Sequence, residues 1–297
     1  MLYKIFYNPI VSGMRSKNNA LTKLTKQLTK HKIQFEVVAT TIDNTDEKEL
    51  IKNIKKFKAI IVLGGDGTLN KTLTYLIKNK VSIPIGLLPC GTANVFAIEK
   101  KIPFKINAAL KVILNHNVKL LDIGRAANRR KIYYFLLMAG IGFDAKAVFD
   151  VNPKIKKYTK KLAYILAGLK NFIKRPQKIE VELPLLKKKF PTTYVVITNS
   201  SYYAGKFKIA PDADMADGLF DMCLFKVKSN IEYLKSILHI VKKTHITKNH
   251  MMHIQTDKFM IRSKDKHPVY FQLDGEAIGT LPLRIEILHK HLPFLLP

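Results

Sequence analysis

Hydrophobic positions in the first third of the chain switch repeatedly between two periods. Leu2 to Asn8 reads as a strand, and Leu21, Leu24 and Leu28 then recur at helical spacing. Ile33 to Ala39 predicts a second strand, and Asp46 to Phe57 a helix with Leu50, Ile51 and Ile54 on one side. The continuous apolar run Ala59-Ile60-Ile61-Val62-Leu63 predicts a short buried strand. It enters the loop Gly64-Gly65-Asp66-Gly67-Thr68, which a helix over Leu69 to Asn79 follows. Pro84 to Leu88 predicts the next strand. Strands alternating with helices imply a parallel α/β sheet with right-handed crossovers.

The pattern changes near Ile123. From Arg125 onward the chain is β-rich and punctuated by turns, with strands predicted at Ile132–Met138, Lys178–Leu183, Thr193–Thr198, Leu219–Phe225, Lys258–Ile261 and Val269–Leu273. Helical spacing interrupts them at Lys154–Lys174 and from Ile231 to about Lys243. An α/β domain over residues 1–123 and a mainly antiparallel β domain over 124–289 is the simplest division. A chain of 297 residues is comfortable for two cores.

Charge adds a constraint on partners. Lysine and arginine number 51 against 22 acids, a formal net charge of +29. Such a field favours phosphorylated ligands, an anionic membrane surface or nucleic acid, although a lysine-rich solvated surface accounts for it equally well. Cys90 and Cys223 are too few for a disulfide framework and lack metal-ligand spacing, which fits a reducing cytoplasm. No stretch approaches the roughly 20 apolar residues of a membrane span. The histidines, His250 and His253 among them, have no thiol or acidic partners at metal spacing and receive no role.

The candidate chemistry begins at Gly64. Glycines let a backbone approach phosphate, and the following helix offers N–H groups and the positive end of its dipole. Asp66 among them would repel phosphate unless a cation such as Mg²⁺ intervenes, directly or through water. A tight turn with a helix-capping aspartate is the competing reading. The loop lacks the Gly-Lys-Ser/Thr of a Walker A sequence. Two other loops follow strands of the same predicted sheet: Asn8-Pro9-Ile10-Val11-Ser12-Gly13 and Pro89-Cys90-Gly91-Thr92-Ala93-Asn94. All three leave carboxyl ends of strands, where open α/β sheets bind ligands.

With these segments in view, the chain resembles the diacylglycerol kinase catalytic family, which includes bacterial lipid kinases and sphingosine kinases. The motifs run the length of the chain: Asn8-Pro9 with Ser12-Gly13; Gly64 to Thr68 with Asn70; Leu88 to Asn94; Gly140-Ile141-Gly142-Phe143-Asp144-Ala145; Ala210-Pro211 with Asp217-Gly218-Leu219; and Leu273-Asp274-Gly275-Glu276. The resemblance implies a phosphofructokinase- or NAD kinase-like α/β domain binding ATP. It also implies a β-sandwich acceptor domain and an active site in the cleft between them. The extreme C-terminus, about 290–297, would pack back on the first domain.

Carried over motif by motif, the resemblance implies nucleotide contacts at Asn8, Pro9, Ser12, Gly13, Thr40, Gly64, Gly65, Asp66, Gly67, Thr68, Asn70, Gly91, Thr92 and Asn94. Thr41 is an alternative to Thr40. Glu276 falls where the family places its general base, and a carboxylate suits deprotonation of a lipid hydroxyl. As sequence alone, Asp274-Gly275 reads as a hairpin turn. Asp217, with backbone oxygens near Asp214 and Leu219, matches a structural Mg²⁺ site, with Asp212 and Asp221 nearby, although Asp217-Gly218 reads equally as a turn alone. Two departures stand out: Val95 occupies a position where many members carry aspartate, and the first loop is one residue longer than the commonest spacing. Arg15 and Lys17 follow that loop, where solvated surface charge competes with a phosphate role.

A lipid kinase meets its substrate at a bilayer. In Lys154–Arg175, apolar residues from Ile155 to Ile173 recur at 3–4 spacing among eight basic residues and no acid. Such a helix suits an anionic interface, or packs its stripe on the sandwich. The reading that follows is ATP-dependent, Mg²⁺-assisted phosphorylation of a lipid hydroxyl, with diacylglycerol first among acceptors. It implies peripheral contact with the inner face of an anionic membrane, and a homodimer is compatible with it. The competing readings are an NAD kinase-like enzyme, whose Asn-Glu pair and Gly-Ser-Thr-Ala-Tyr-like segment are missing here, and a non-catalytic basic binder of lipid or nucleic acid. No nucleic-acid motif is present.

Overall fold

The computed structural model describes residues 1–9, 14–41, 45–129, 131–142, 145–146, 175–203, 207–232, 235–236 and 251–297. The amphipathic segment at 154–174, the motif residues Ser12, Gly13, Phe143 and Asp144, and most of the predicted helix from Ile231 to Lys243 lie outside them. The chain divides into two compact units, Met1–Leu121 with Lys290–Pro297, and Asp122–His289.

The first unit runs β1 (Leu2–Tyr7), α1 (Met14–Lys30), β2 (Gln34–Ala39), α2 (Asp46–Ile51), β3 (Ala59–Gly64), α3 (Asp66–Lys78), β4 (Ile85–Pro89), α4 (Val95–Glu99) and α5 (Ile106–Asn115). Its sheet has the order β2-β1-β3-β4, and every pairing is parallel. β3 and β4 are buried throughout, which explains their uninterrupted apolar sequence. Ala20, Leu24 and Leu28 form the buried stripe of α1.

Two helix boundaries differ from the sequence expectation. The helix predicted over Asp46–Phe57 ends at Ile51, and a 3-10 turn follows at Ile54–Lys56. Asn53 between them adopts a left-handed conformation, φ 54°, which asparagine tolerates and a continuing helix cannot. The helix predicted from Leu69 begins at Asp66 instead. The five-residue glycine loop is therefore one linking residue, Gly65, followed at once by the helix's first turn.

The second unit contains β5 (Val118–Asn128, which begins in the first unit), β6 (Lys131–Phe135), β7 (Met138–Ile141), β8 (Ile179–Leu183), β9 (Lys188–Thr192) and β10 (Tyr194–Thr198). The two-residue strands β11 (Tyr202–Tyr203) and β12 (Phe207–Lys208) pair with each other. They are followed by β13 (Phe220–Phe225), β14 (Met251–Thr256), β15 (Lys258–Ser263), β16 (Tyr270–Leu273), β17 (Glu276–Thr280) and β18 (Leu283–Leu295). One sheet has the order β14-β13-β10-β7-β16-β17, antiparallel throughout. A second set, β18-β15-β8-β9, is also antiparallel. Phe135, Phe220, Phe259 and Phe271 belong to one buried cluster drawn from both, the filling of a sandwich. Alternate residues of β10 and β13, namely Tyr194, Val196, Cys223 and Phe225, face a second cluster with Ile209 and Ala210. Both strands are therefore buried on both sides.

The strand predicted at Ile132–Met138 is two strands, broken at Leu136 and Leu137. An α/β domain with a parallel sheet and an antiparallel β-sandwich domain are both present.

Candidate active site

In the first unit, the strand order reverses at β1. The chain moves outward from β1 to β2, then crosses back so that β3 lies on the other side of β1. Such a switch point opens a crevice beyond the carboxyl ends of the two strands that flank it, here β1 and β3. Asn8 and Pro9 leave β1 there, and Gly65 leaves β3. Thr40, buried after β2, donates its amide to the Tyr7 carbonyl at 2.7 Å. It therefore extends the strand pairing to the same rim.

The two glycine loops touch backbone to backbone. A Cβ built on Gly91 would lie 2.5 Å from the Gly65 Cα and 2.6 Å from Asn94 Oδ1, and one on Gly65 would lie 2.8 Å from the Gly91 Cα. Only hydrogen fits on either side of this crossing. The Cys90 amide donates to the Gly64 carbonyl at 2.8 Å, which ties the loops just before they cross. Asn94 closes the second loop: its Oδ1 accepts from the Gly91 amide at 2.8 Å and its Nδ2 donates to the Gly91 carbonyl at 2.9 Å. This buried asparagine sits at φ 48°, in the left-handed region.

Asp66 joins the loops again. Its carboxylate accepts from the amides of Val95 and Phe96, at 3.0 and 3.1 Å, and so caps the first turn of α4. Burial raises its pKa above the usual carboxylate range, and the amides of Phe96 and Val95 oppose the rise. Both oxygens hold an amide, with lone pairs left for water. Val95, where the family often has aspartate, contributes its backbone to this cap. No side chain caps the first turn of α3, and its N-cap is Gly65. Gly67 and Thr92 are exposed, whereas Thr68 is buried. Helix dipole, first-turn amides and an open glycine surface together suit a polyphosphate.

Sequence reasoning missed a brace behind this site. Lys71 on α3 donates to the Thr41 carbonyl at 2.8 Å and pairs with buried Asp46 at 2.9 Å. Asp46 also accepts from Thr41 Oγ1 and from the Tyr75 hydroxyl, at 3.0 and 3.1 Å. The segment after β2 is thereby tied to the helix that starts at Asp66. Asn70 sits one residue before Lys71 and accepts from Thr74 at 3.4 Å.

In the second unit, Glu276 is the first residue of β17 and is exposed. Leu273 and Glu276 face each other across the two-residue link Asp274-Gly275, at φ 47° and 82°. Positive φ at both positions is the hairpin turn that Asp-Gly favours. The turn is held from below: the Asp274 carboxylate accepts from the amides of Leu136, Leu137 and Met138 at 2.8 to 2.9 Å. Gln272 Oε1 accepts from the Gly275 amide at 2.7 Å. The three amides come from the break between β6 and β7, Leu136 and Leu137, and from Met138 at the start of β7. The turn is therefore real, and it is a rigid mount for a carboxylate. Asp274→Ala would strand three amide donors. A loss of about 3 kcal/mol is expected in chemical denaturation, together with loss of activity.

Asp214 and Asp217 each accept from an amide two residues on, Ala216 at 3.1 Å and Leu219 at 2.9 Å. Burial raises the Asp217 pKa, as do the like charges of Asp214, Asp221 and Asp122. Crowded carboxylates of this kind would be relieved by a cation. Among the described residues, however, no three His, Cys, Asp or Glu side chains converge as a ligand set. Asp122 beneath them was missed by sequence reasoning. It is buried, and it accepts from the Gly218 amide at 2.7 Å and pairs with His289 Nδ1 at 2.9 Å. Its signal was a lone acid in the run Leu120-Leu121-Asp122-Ile123. His253, given no acidic partner from spacing, pairs across strands with Asp221 at 2.7 Å, which raises its pKa.

Residues 3–126 match the diacylglycerol kinase catalytic domain, and residues 138–296 match the YegS C-terminal NAD kinase beta sandwich-like domain. The chain belongs to the diacylglycerol kinase family. Its membership makes it an ATP-dependent lipid kinase, whose phosphate donor is ATP. A diacylglycerol kinase of Bacillus subtilis (strain 168) is 28% identical over 300 residues, which span 99% of this chain and 96% of that protein. One from Staphylococcus carnosus (strain TM300) is 27% identical over 99% and 94% of the two chains. A crystal structure from Bacillus anthracis str. Sterne, named there as a candidate diacylglycerol kinase, has a TM-score of 0.78 at 22% identity. It covers 99% of this chain and 95% of that one and shares the fold. No helix among the described residues is long and apolar enough to cross a membrane.

Proposed function

We propose that this lipid kinase transfers the γ-phosphate of ATP to the free hydroxyl of diacylglycerol, giving phosphatidic acid and ADP. The observation that carries the reading is the mount of Glu276, an exposed carboxylate on a turn locked by three amides. A base must be accessible to its substrate yet fixed in direction. The full-length likeness to proteins named diacylglycerol kinase supports the choice of acceptor.

In this reading the polyphosphate lies on the Gly64–Thr68 turn, the Gly91–Asn94 loop and the Asn8–Gly13 segment, with Thr40 on the same rim. Thr68, Asn70 and Thr92 add side-chain contacts. Asp66 and Asn94 hold the two glycine loops in register. Glu276 takes the proton of the acceptor hydroxyl as that oxygen attacks the γ-phosphorus, and ADP leaves. A Mg²⁺ ion with the nucleotide would offset charge on the phosphate oxygens. Asp66 suits its hydration shell, and Asp214, Asp217 and the Leu219 carbonyl suit a second, structural ion.

The test is a panel of acceptors with labelled ATP and a divalent cation: diacylglycerol, monoacylglycerol, ceramide, a sphingoid base, phosphatidylglycerol and NAD. Diacylglycerol is expected to be phosphorylated at least about tenfold faster than the rest. Preferential labelling of another lipid would overturn the acceptor, and labelling of NAD would overturn the lipid assignment.

A further inference from the structure

The hairpin between β8 and β9 is built against ordinary turn chemistry. Leu183 pairs with Lys188, and Pro184-Leu185-Leu186-Lys187 closes the loop, with the Lys187 amide on the Pro184 carbonyl at 3.2 Å. The two central positions of that turn, which commonly hold Gly, Asn, Asp or Ser, are leucines exposed by 78% and 60%. Lys187 takes the left-handed conformation, φ 50°, that glycine or asparagine would adopt more easily. Both leucines leave most of their surface in water, so folding gains little from them.

The charge around them has one sign. Residues 183–192 contain Lys187, Lys188 and Lys189 and no acid. All three lysines are exposed. The acids lower on β8 are matched on β15: Glu182 lies 3.7 Å from Arg262 and Glu180 3.1 Å from Lys264. Glu182 stands opposite Lys189 in the hairpin register, but among the described residues Lys187, Lys188 and Lys189 make no ion pair. β9 is also the terminal strand of its set, so the tip stands at an edge.

We propose that this hairpin docks the protein on an anionic phospholipid bilayer. Leu185 and Leu186 enter the acyl boundary, and Lys187, Lys188 and Lys189 meet the headgroup phosphates. Apolar insertion with basic flanks is the arrangement a peripheral protein needs, since either element alone binds weakly. A nucleic acid would satisfy the lysines and leave both leucines in water. The choice of a bilayer rests on the lipid-acceptor reading. Docking is measured without nucleotide, so its failure and that of the catalytic reading are separate results.

The experiment uses the full chain with vesicles of phosphatidylcholine, with and without phosphatidylglycerol. Leu185→Ser with Leu186→Ser is expected to lower partitioning onto the anionic vesicles by at least about tenfold. Glutamine at Lys187, Lys188 and Lys189 is expected to remove the preference for anionic lipid, by about fivefold per lysine. The chain contains no tryptophan, so Leu186→Trp places a single reporter at the tip. Its emission is expected to shift to the blue on anionic vesicles. An unshifted emission, or wild-type partitioning of the double serine variant, would overturn the proposal. So would equal retention of the double serine variant and wild type on both vesicles and double-stranded RNA, which would mark a simple polyanion surface. Glu276→Gln is expected to dock as the wild type does, whatever its catalytic defect.

Discussion

Glu276→Gln is expected to slow phosphoryl transfer by about a thousandfold and to change nucleotide affinity by no more than about twofold. The side chain is exposed at the start of β17. Among the described residues it makes no ion pair, and the turn beneath it is held by Asp274 and Gln272 instead. The substitution removes a proton acceptor of the same size and leaves the mount intact, so the cost to stability should stay within about 0.5 kcal/mol. Steady-state kinetics and a nucleotide titration on the same preparation check both halves. Full activity in the variant would remove Glu276 from the mechanism. Asp274→Ala makes the contrast: it lowers activity and stability together, because Asp274 acts through the backbone of residues 136–138.

The parts legible in sequence were those that local physics dictates. An apolar run ending in glycine named β3, and alternating periods named the α/β class. Asp274-Gly275 named its own turn. The parts that were hidden depended on distant partners. Asp66, Gly67 and Thr68 read as loop, yet they begin α3, where an acid in the first turn is favoured by the helix dipole. Asp66 was read as a group facing metal and phosphate, with a helix-capping aspartate as the competing reading, but the helix it caps was not named. Its amide partners lie 29 and 30 residues away, and no spacing rule reveals a carboxylate capping another loop's helix. Asp122 meets Gly218 and His289 across 96 and 167 residues. Strands such as β14 and β18 are weakly patterned in sequence because few of their residues alternate cleanly between buried and exposed.

These hidden contacts change what the glycines mean. Read alone, Gly64 and Gly65 are a surface for phosphate. In the fold, Gly65 is also half of a crossing with Gly91, and Asp66 and Asn94 lock that crossing on either side. In the proposed reading, the phosphate surface is therefore a single backbone unit made from two strand ends. Its shape is set before any nucleotide arrives, which lowers the ordering cost of binding.

Gly91→Ala tests that unit, and its expected effect on catalysis is second only to that of Glu276→Gln. The new methyl would sit 2.5 Å from the Gly65 Cα, where only backbone can yield, and 2.6 Å from the Asn94 oxygen that holds the loop. Relief requires the loops to part by about 1 Å, because an ordinary carbon contact is about 3.5–4.0 Å. Such a displacement breaks the Asn94 clamp and pulls α4 from the Asp66 carboxylate. Overpacking of this kind costs about 1–3 kcal/mol, readable as a lower melting temperature. A misplacement of about 1 Å at the phosphates is expected to cost about a hundredfold in kcat/KM for ATP. Vesicle docking should be untouched, since the β8–β9 hairpin belongs to the other unit. If Gly91→Ala keeps wild-type nucleotide affinity and turnover, the crossing is only a packing detail and the phosphates lie elsewhere.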